Sequence, residues 1–365
     1  MKISDKARQQ AESCRFCWMC RHVCPIGNAD GQERNNARAR ALMVSYVIRG
    51  TEKLEDIATN MYECSLCGAC ANNCKTGWDP RLFIQEVKTQ IILEGKEPEY
   101  IRKLLDNYSS CGAVFGKMDK GAQQLLQKMQ EEYSDGKVLL LAGEMAVNKD
   151  AESLEKTLKL LSKGSESICL DKSADNTGYS LWYLTGKTKE TVECARKCAE
   201  ALNKYEKVVV YNPVELSFIR HEWKEWGITL KARVVGLNEE LLDLINNDKL
   251  KVRKSDIEYS LQDNFAYARE LDDVTSGRQL IEKVGIVKDM LLINKEANLA
   301  GQLIMNEYMP NTMKLVAKNR WMNAMNMGCK TLVTENPDEH VLLKENVPEG
   351  YKVITVEEMV LDNLA

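Results

Sequence analysis

Eight of the thirteen cysteines in this chain fall into two runs of identical spacing. CRFCWMCRHVCP places Cys14, Cys17, Cys20 and Cys24, and CSLCGACANNCK places Cys64, Cys67, Cys70 and Cys74, each as C-x2-C-x2-C-x3-C. Thiolate sulfur is the soft donor that iron–sulfur groups need, and a cubane takes four thiolates, one for each iron. Three cysteines spaced by two residues wrap one corner of such a group as a tight loop, while the fourth points away. Two such runs predict two [4Fe–4S] clusters and one-electron transfer between them. Zinc also accepts four thiolates, but its sites usually pair two C-x2-C units rather than two runs of four. Disulfides would need an oxidising compartment, and nothing in the sequence suggests export.

In the two-cluster arrangement of bacterial ferredoxins the fourth cysteine of each run ligates the other cluster. The expected ligand sets are therefore Cys14, Cys17, Cys20 and Cys74 for cluster 1, and Cys64, Cys67, Cys70 and Cys24 for cluster 2. Crossed ligation would hold the clusters close enough for fast electron exchange. Lys75 stands where the first run has Pro25, a change that touches no ligand.

The elements that carry these loops read as helices. Between the runs, Ala41, Leu42, Val44, Val47 and Ile48 give one apolar face, Gly50 ends it, and Leu54, Ile57, Ala58 and Met61 begin another. A further helix from Pro80 to Glu94 has Leu82, Phe83, Val87, Ile91 and Ile92 at helical spacing, a packing stripe. Arg15, Arg21, His22, Arg34, Arg38, Arg40 and Lys75 lie in or near the loops. Cations beside a cluster raise its potential, although most such side chains are expected as solvated surface charges.

With 365 residues the chain is long enough for two or three domains. MKISDKARQQAESC has no apolar run or cleavage pattern, and no stretch is long and apolar enough to span a bilayer, so cytoplasmic residence is expected, with docking to a membrane partner left open. The formal charge is −4, and each oxidised cubane with its thiolates adds about −2. Such a chain is poorly suited to nucleic acid.

The segment from 97 to 136, charged and interrupted by glycine, reads as a connector. Beyond it, strands such as KVLLLAG (137–143) and KVVVY (207–211) alternate with helices such as AESLEKTLKLLSKG and the one from Lys189 to Tyr205, implying parallel sheets with helical cover. The segment then repeats itself. KVVVY runs into Asn212-Pro213-Val214-Glu215, and TLVT (331–334) runs into Asn336-Pro337-Asp338-Glu339. Each Asn-Pro pair suits a strand-to-helix turn, with asparagine as cap and proline at the first helical position. Two α/β units of about 110 residues each follow.

Two ferredoxin runs followed by paired α/β repeats resemble the iron–sulfur subunits of anaerobic glycerol-3-phosphate dehydrogenase, glycolate oxidase and heterodisulfide reductase. The resemblance implies an α+β chain: an all-helical two-cluster ferredoxin-like domain (1–96), the connector (97–136), and two repeats (137–249 and 250–365) of the CCG type. In that family the repeats bind further metal centres through Cys-Cys-Gly and Cys-Pro-x-Cys patterns. This chain departs from them. It has Asn212-Pro213-x-Glu215 and Asn336-Pro337-x-Glu339 in place of Cys-Pro-x-Cys, and Asp175-Asn176-Thr177-Gly178 and Glu296-Ala297-Asn298-Leu299 near the expected double cysteines. Glu144 and Gln262-Asp263-Asn264-Phe265 stand where a first cysteine would follow each opening strand. The repeats thus look like CCG folds without their cysteines, and glutamate or asparagine oxygens would not hold an iron–sulfur cluster. Glu144, Glu215 and Glu339 could serve a harder metal, but are expected as solvated helix-start charges.

Cys194 and Cys198, four apart on one helix, could form one face of a metal site, but packing is the expectation, as it is for the isolated Cys111, Cys169 and Cys329. His221 and His340 lack recognisable catalytic companions. Neither repeat carries G-x-G-x-x-G, so flavin or nicotinamide chemistry is expected on another polypeptide. The resemblance implies a non-catalytic subunit relaying electrons between a flavoprotein dehydrogenase of the 2-hydroxy acid or glycerol 3-phosphate type and a downstream protein or quinone-linked acceptor. The alternative is a catalytic heterodisulfide or quinone reductase with its own C-terminal metal site. A third expectation, compatible with the relay, treats the C-terminal half as a docking scaffold.

Overall fold

A computed structural model describes residues 2–15, 17–165 and 167–365. Among these, no strand precedes Val138. Asn36 accepts from the Ala39 amide and so caps the helix Ala37–Ile48, which Leu54–Tyr62 and Arg81–Leu93 follow. Their apolar stripes meet: Val44, Ile57, Met61, Phe83, Ile84, Val87 and Ile91 are buried. These are the helices the 3.6-residue periodicity predicts. The segment expected as a connector is helical, with helices Glu99–Cys111 and Lys120–Glu132. Glycine density hides the pattern there, yet Ile101 and Leu104 of the first helix and Leu126 and Met129 of the second are buried.

Eight strands follow in two parallel sheets. Val138–Leu141 (β1), Ile168–Cys169 (β2), Lys207–Val210 (β3) and Arg233–Gly236 (β4) form the first, in the order β2-β1-β3-β4. Glu258–Gln262 (β5), Ile286–Val287 (β6), Thr331–Thr334 (β7) and Lys352–Thr355 (β8) form the second, ordered β6-β5-β7-β8. Parallel neighbours need crossovers, and crossover helices cover both faces. Leu139 to Leu141 and Val208 to Val210 are accordingly buried runs rather than alternating ones. The same strand order occurs twice, as the sequence repeat implies.

The two Asn-Pro turns perform the expected capping and also touch. Asn212 accepts from the Val214 amide and Asn336 from the Glu339 amide, with proline in the first helical turn of each. Asn336 Nδ2 donates to Asn212 Oδ1 at 2.8 Å, and Asn212 Nδ2 donates to Asp338 Oδ2 at 3.3 Å. Both asparagines are buried, so the repeats meet through their turns. Asn336→Ala removes a cap and a buried inter-repeat bond together, and is expected to lower unfolding free energy by about 2 kcal/mol in denaturant titration.

Candidate metal centres

The cysteine loops turn on residues in left-handed conformation. Gly68, directly after Cys67, has φ +71° and starts the short helix Ala69–Asn72 that carries Cys70. Trp18, directly after Cys17, occupies the corresponding position with φ +68° and starts Met19–His22, which carries Cys20. A tryptophan there is costly. It is held by the Arg38 guanidinium, 3.3 Å from its ring centroid. Gly68 has a steric reason as well: a Cβ there would come within 3.0 Å of the Arg81 guanidinium.

Two hollows collect the eight thiols. Cys14, Cys17, Cys20 and Cys74 line one, together with Trp18, Arg38 and Trp78. Cys24, Cys64, Cys67 and Cys70 line the other, with Arg40, Leu66 and Arg81. Each hollow therefore combines three cysteines of one run with the last cysteine of the other. None of the eight is in a disulfide. Among the described residues no group of three or more His, Cys, Asp or Glu side chains is arranged to hold a single ion. Four thiols set around a hollow suit instead a group with one thiolate per iron, and the donor set fits a cubane.

The two hollows differ in environment. Cys17, Trp18 and Met19 are exposed, so the first lies at the surface. The second is more enclosed, with Cys67 buried and Cys24, Cys64 and Cys70 half-buried, and the C-terminal half bonds to its loop. Tyr183 Oη donates to the Cys64 carbonyl at 2.9 Å, Arg269 Nη1 to the Cys67 carbonyl at 2.8 Å, and Tyr308 Oη to the Tyr62 carbonyl at 2.8 Å. Burial pushes the Cys24 thiol up to about 11 and Cys70 well above the usual range, with Arg40 opposing the shift at Cys24. Metal binding would replace those protons.

Arg40 is expected on the surface and is instead buried. Its guanidinium donates to three backbone carbonyls, Asn60 at 2.8 Å, Asn35 at 2.7 Å and Glu63 at 2.6 Å. Burial works against its charge, while Cys64, Cys24, Glu63 and Cys70 favour it. Its sequence signal was only proximity to the loops. Lys88, unnoticed in sequence, is also buried, donating to the Tyr183 carbonyl at 2.9 Å over the Tyr183 ring.

Residues 10–78 match the family described as a 4Fe-4S dicluster domain. The chain is an iron–sulfur protein. No curated protein matches the chain. Among solved structures it is similar to one titled "Crystal structure of a hypothetical protein from Helicobacter pylori", at TM-score 0.56 and 13% identity over 99% of this chain and 73% of that one. At that identity the likeness is one of fold. No helix among the described residues is long and apolar enough to cross a membrane.

The three glutamates expected as solvated helix-start charges, Glu144, Glu215 and Glu339, are buried instead. Glu339 is fully engaged: Oε1 accepts from Gln262 Nε2 and the Ala300 amide, each at 3.0 Å, and Oε2 from Asn264 Nδ2 at 3.0 Å. Glu144 Oε1 accepts from the Val114 amide at 2.6 Å, but Oε2 of Glu144 and of Glu215 has no hydrogen-bond partner among the described residues. Glu215 presses on Gly143, where a Cβ would lie 2.1 Å from Oε2.

The other cysteines and histidines mostly pack. Cys169, Cys198 and Cys329 are buried, but Cys111 is exposed near the end of its helix. Cys194 accepts from Tyr108 Oη at 3.3 Å. His340 Nδ1 lies 2.7 Å from Asp150 Oδ2, a buried pair, and His221 Nδ1 lies 3.2 Å from Ser217 Oγ.

Replacing Arg40 by Met strands three buried carbonyls and removes the cation beside Cys24 and Cys64. The expected results are a loss of about 3 kcal/mol or more in stability and a more negative potential for the buried centre, read by denaturation and redox titration. Burial also raises the Glu144 carboxyl from 4.5 to about 7. Its folded pKa exceeds its unfolded one, so the native state binds the extra proton and stability falls as pH rises from about 4.5 to about 7. Glu144→Gln should match wild type near pH 5 and exceed it at pH 8 by up to about 3 kcal/mol, measured as a difference in unfolding free energy.

Proposed function

We propose that this chain is an electron-transfer subunit that binds two [4Fe–4S] clusters, one to Cys14, Cys17, Cys20 and Cys74 and the other to Cys64, Cys67, Cys70 and Cys24. The observation that carries this reading is the lining of the two hollows by those same two sets of four thiols. When bound, such clusters supply reversible one-electron chemistry. Arg40 contributes a fixed positive charge beside the buried set, and Tyr183, Arg269 and Tyr308 close that set against water through bonds to its loop carbonyls. Trp18 and Met19 leave the other set accessible to a partner.

In this reading residues 1–96 form the two-cluster domain, 97–136 the connector, and 137–249 and 250–365 two CCG-like repeats without metal cysteines. The resemblance to iron–sulfur subunits of anaerobic dehydrogenases supports a flavoprotein of the 2-hydroxy acid or glycerol 3-phosphate type as one partner. The alternative, catalysis at a metal centre in the repeats, finds little support: the second repeat fills the corresponding space with Glu339, Gln262 and Asn264 bonded to one another.

Iron and sulfide analysis of anaerobically purified protein should give about eight irons per chain. Clearly more iron would favour the catalytic alternative. In Cys24→Ser, spectroscopy should find the perturbation in the cluster held by Cys64, Cys67 and Cys70. A change confined to the other cluster would refute the crossed assignment.

A further inference from the structure

A cleft of about 580 Å³ opens where the helical N-terminal part meets both repeats, a size typical of small-molecule sites, roughly 300–1,000 Å³. Helix Arg81–Leu93, helix Tyr179–Thr185 and two π-helical segments, Ile219–Trp223 and Ala266–Glu270, contribute to its walls. π-helical turns are rare and frequently mark functional sites. One wall is aromatic: ring centroids of Trp182 and Phe218 are 5.2 Å apart, and those of Phe218 and Trp226 5.4 Å.

The charge of the cleft narrows what fits it. Its lining has four Lys and Arg side chains against five Asp and Glu, so no surplus positive charge awaits a phosphate or carboxylate. The two arginines are committed. Arg81 pairs with Asp79 at 2.7 Å and Glu270 at 2.9 Å, and Arg269 donates to the carbonyls of Cys67, Lys295 and Ala297. An uncharged flat molecule is accommodated best.

Location narrows it further. Leu66 and Arg81 line both this cleft and the hollow of Cys24, Cys64, Cys67 and Cys70. A molecule in the cleft is therefore separated from the buried thiol set by one layer of side chains.

We propose that the cleft binds a planar, uncharged ring that carries two electrons and two protons, of the quinone or flavin type, stacked on Trp182 and facing the buried thiol set across Leu66 and Arg81. Reduction of such a ring would take two electrons, which a [4Fe–4S] group held by Cys24, Cys64, Cys67 and Cys70 would supply singly, and two protons, one from the Glu222 carboxyl and one from water. The ring leaves in its dihydro form, and Glu222 regains its proton from solvent. Burial, with Glu225 and Glu270 adding to it, pushes Glu222 up to about 7, so near neutrality it has a proton to give. This inference rests on the two-cluster reading and adds to it an acceptor site within the chain.

The test uses the full-length protein with its clusters oxidised, and equilibrium dialysis against 1,4-naphthoquinone or, separately, lumiflavin, a flavin ring without phosphate. One of the two should bind saturably at one per chain, and which one does identifies the source of the ring. Trp182→Ala should weaken that binding about tenfold and Trp182→Phe restore most of it, as loss and return of a stacking contact require. In dithionite-reduced protein, Glu222→Gln should slow reoxidation by the bound ring about a hundredfold. Saturable binding of neither ring, or binding indifferent to both Trp182 variants, would overturn the proposal. Eight irons with no ring binding sinks this inference alone, whereas ring binding without cubane spectra sinks the two-cluster reading.

Discussion

A buried guanidinium needs negative charge and hydrogen-bond acceptors within reach, and Arg40 finds both at the buried thiol set. It ties the carbonyls of Asn35, Asn60 and Glu63 into one knot, joining the segment after Cys24 to the one before Cys64. The thiols nearby supply the counter-charge once deprotonated. Cysteine loops far apart in sequence are thereby brought to one place, and the helices between the runs take their positions from it. Removing a charge from such an arrangement costs more than forming it gained, because the partner groups stay buried.

The C-terminal half is fitted closely around that centre. Tyr183 of the first repeat, and Arg269 and Tyr308 of the second, all donate to carbonyls in or beside the second cysteine loop. Both repeats therefore meet the same short stretch of chain. The cleft lined by Leu66 and Arg81 is a consequence of that three-way junction rather than a property of either repeat alone.

Much of this was legible in the sequence because it is local. The cysteine spacing, the periodic helices around Val44, Ile57 and Val87, and the paired Asn-Pro turns each depend on residues close together in the chain. What was missed depends on tertiary placement. Arg40 has the same sequence neighbourhood as the more exposed Arg34 and Arg38, and only the three carbonyls that converge on it set it apart. Glu215 and Glu339 stand at helix starts, where carboxylates are usually solvated. Residues distant in sequence but within the same repeat bury them: Gln262, Asn264 and Ala300 close around Glu339, and Gly143 lies against Glu215. The helix Glu99–Cys111 was obscured by flanking charge and glycine, though Ile101 and Leu104 carry its buried face.

The paired asparagines couple the two repeats more tightly than their sequences suggest. Asn212 and Asn336 each cap their own helix, yet each also serves as the other's hydrogen-bond partner. A substitution at one turn is felt at once by the other copy. Duplicated units can drift apart wherever they face different neighbours, as Glu215 and Glu339 have in their hydrogen bonding. At the turn where they touch, a change in one copy takes a buried hydrogen bond from the other.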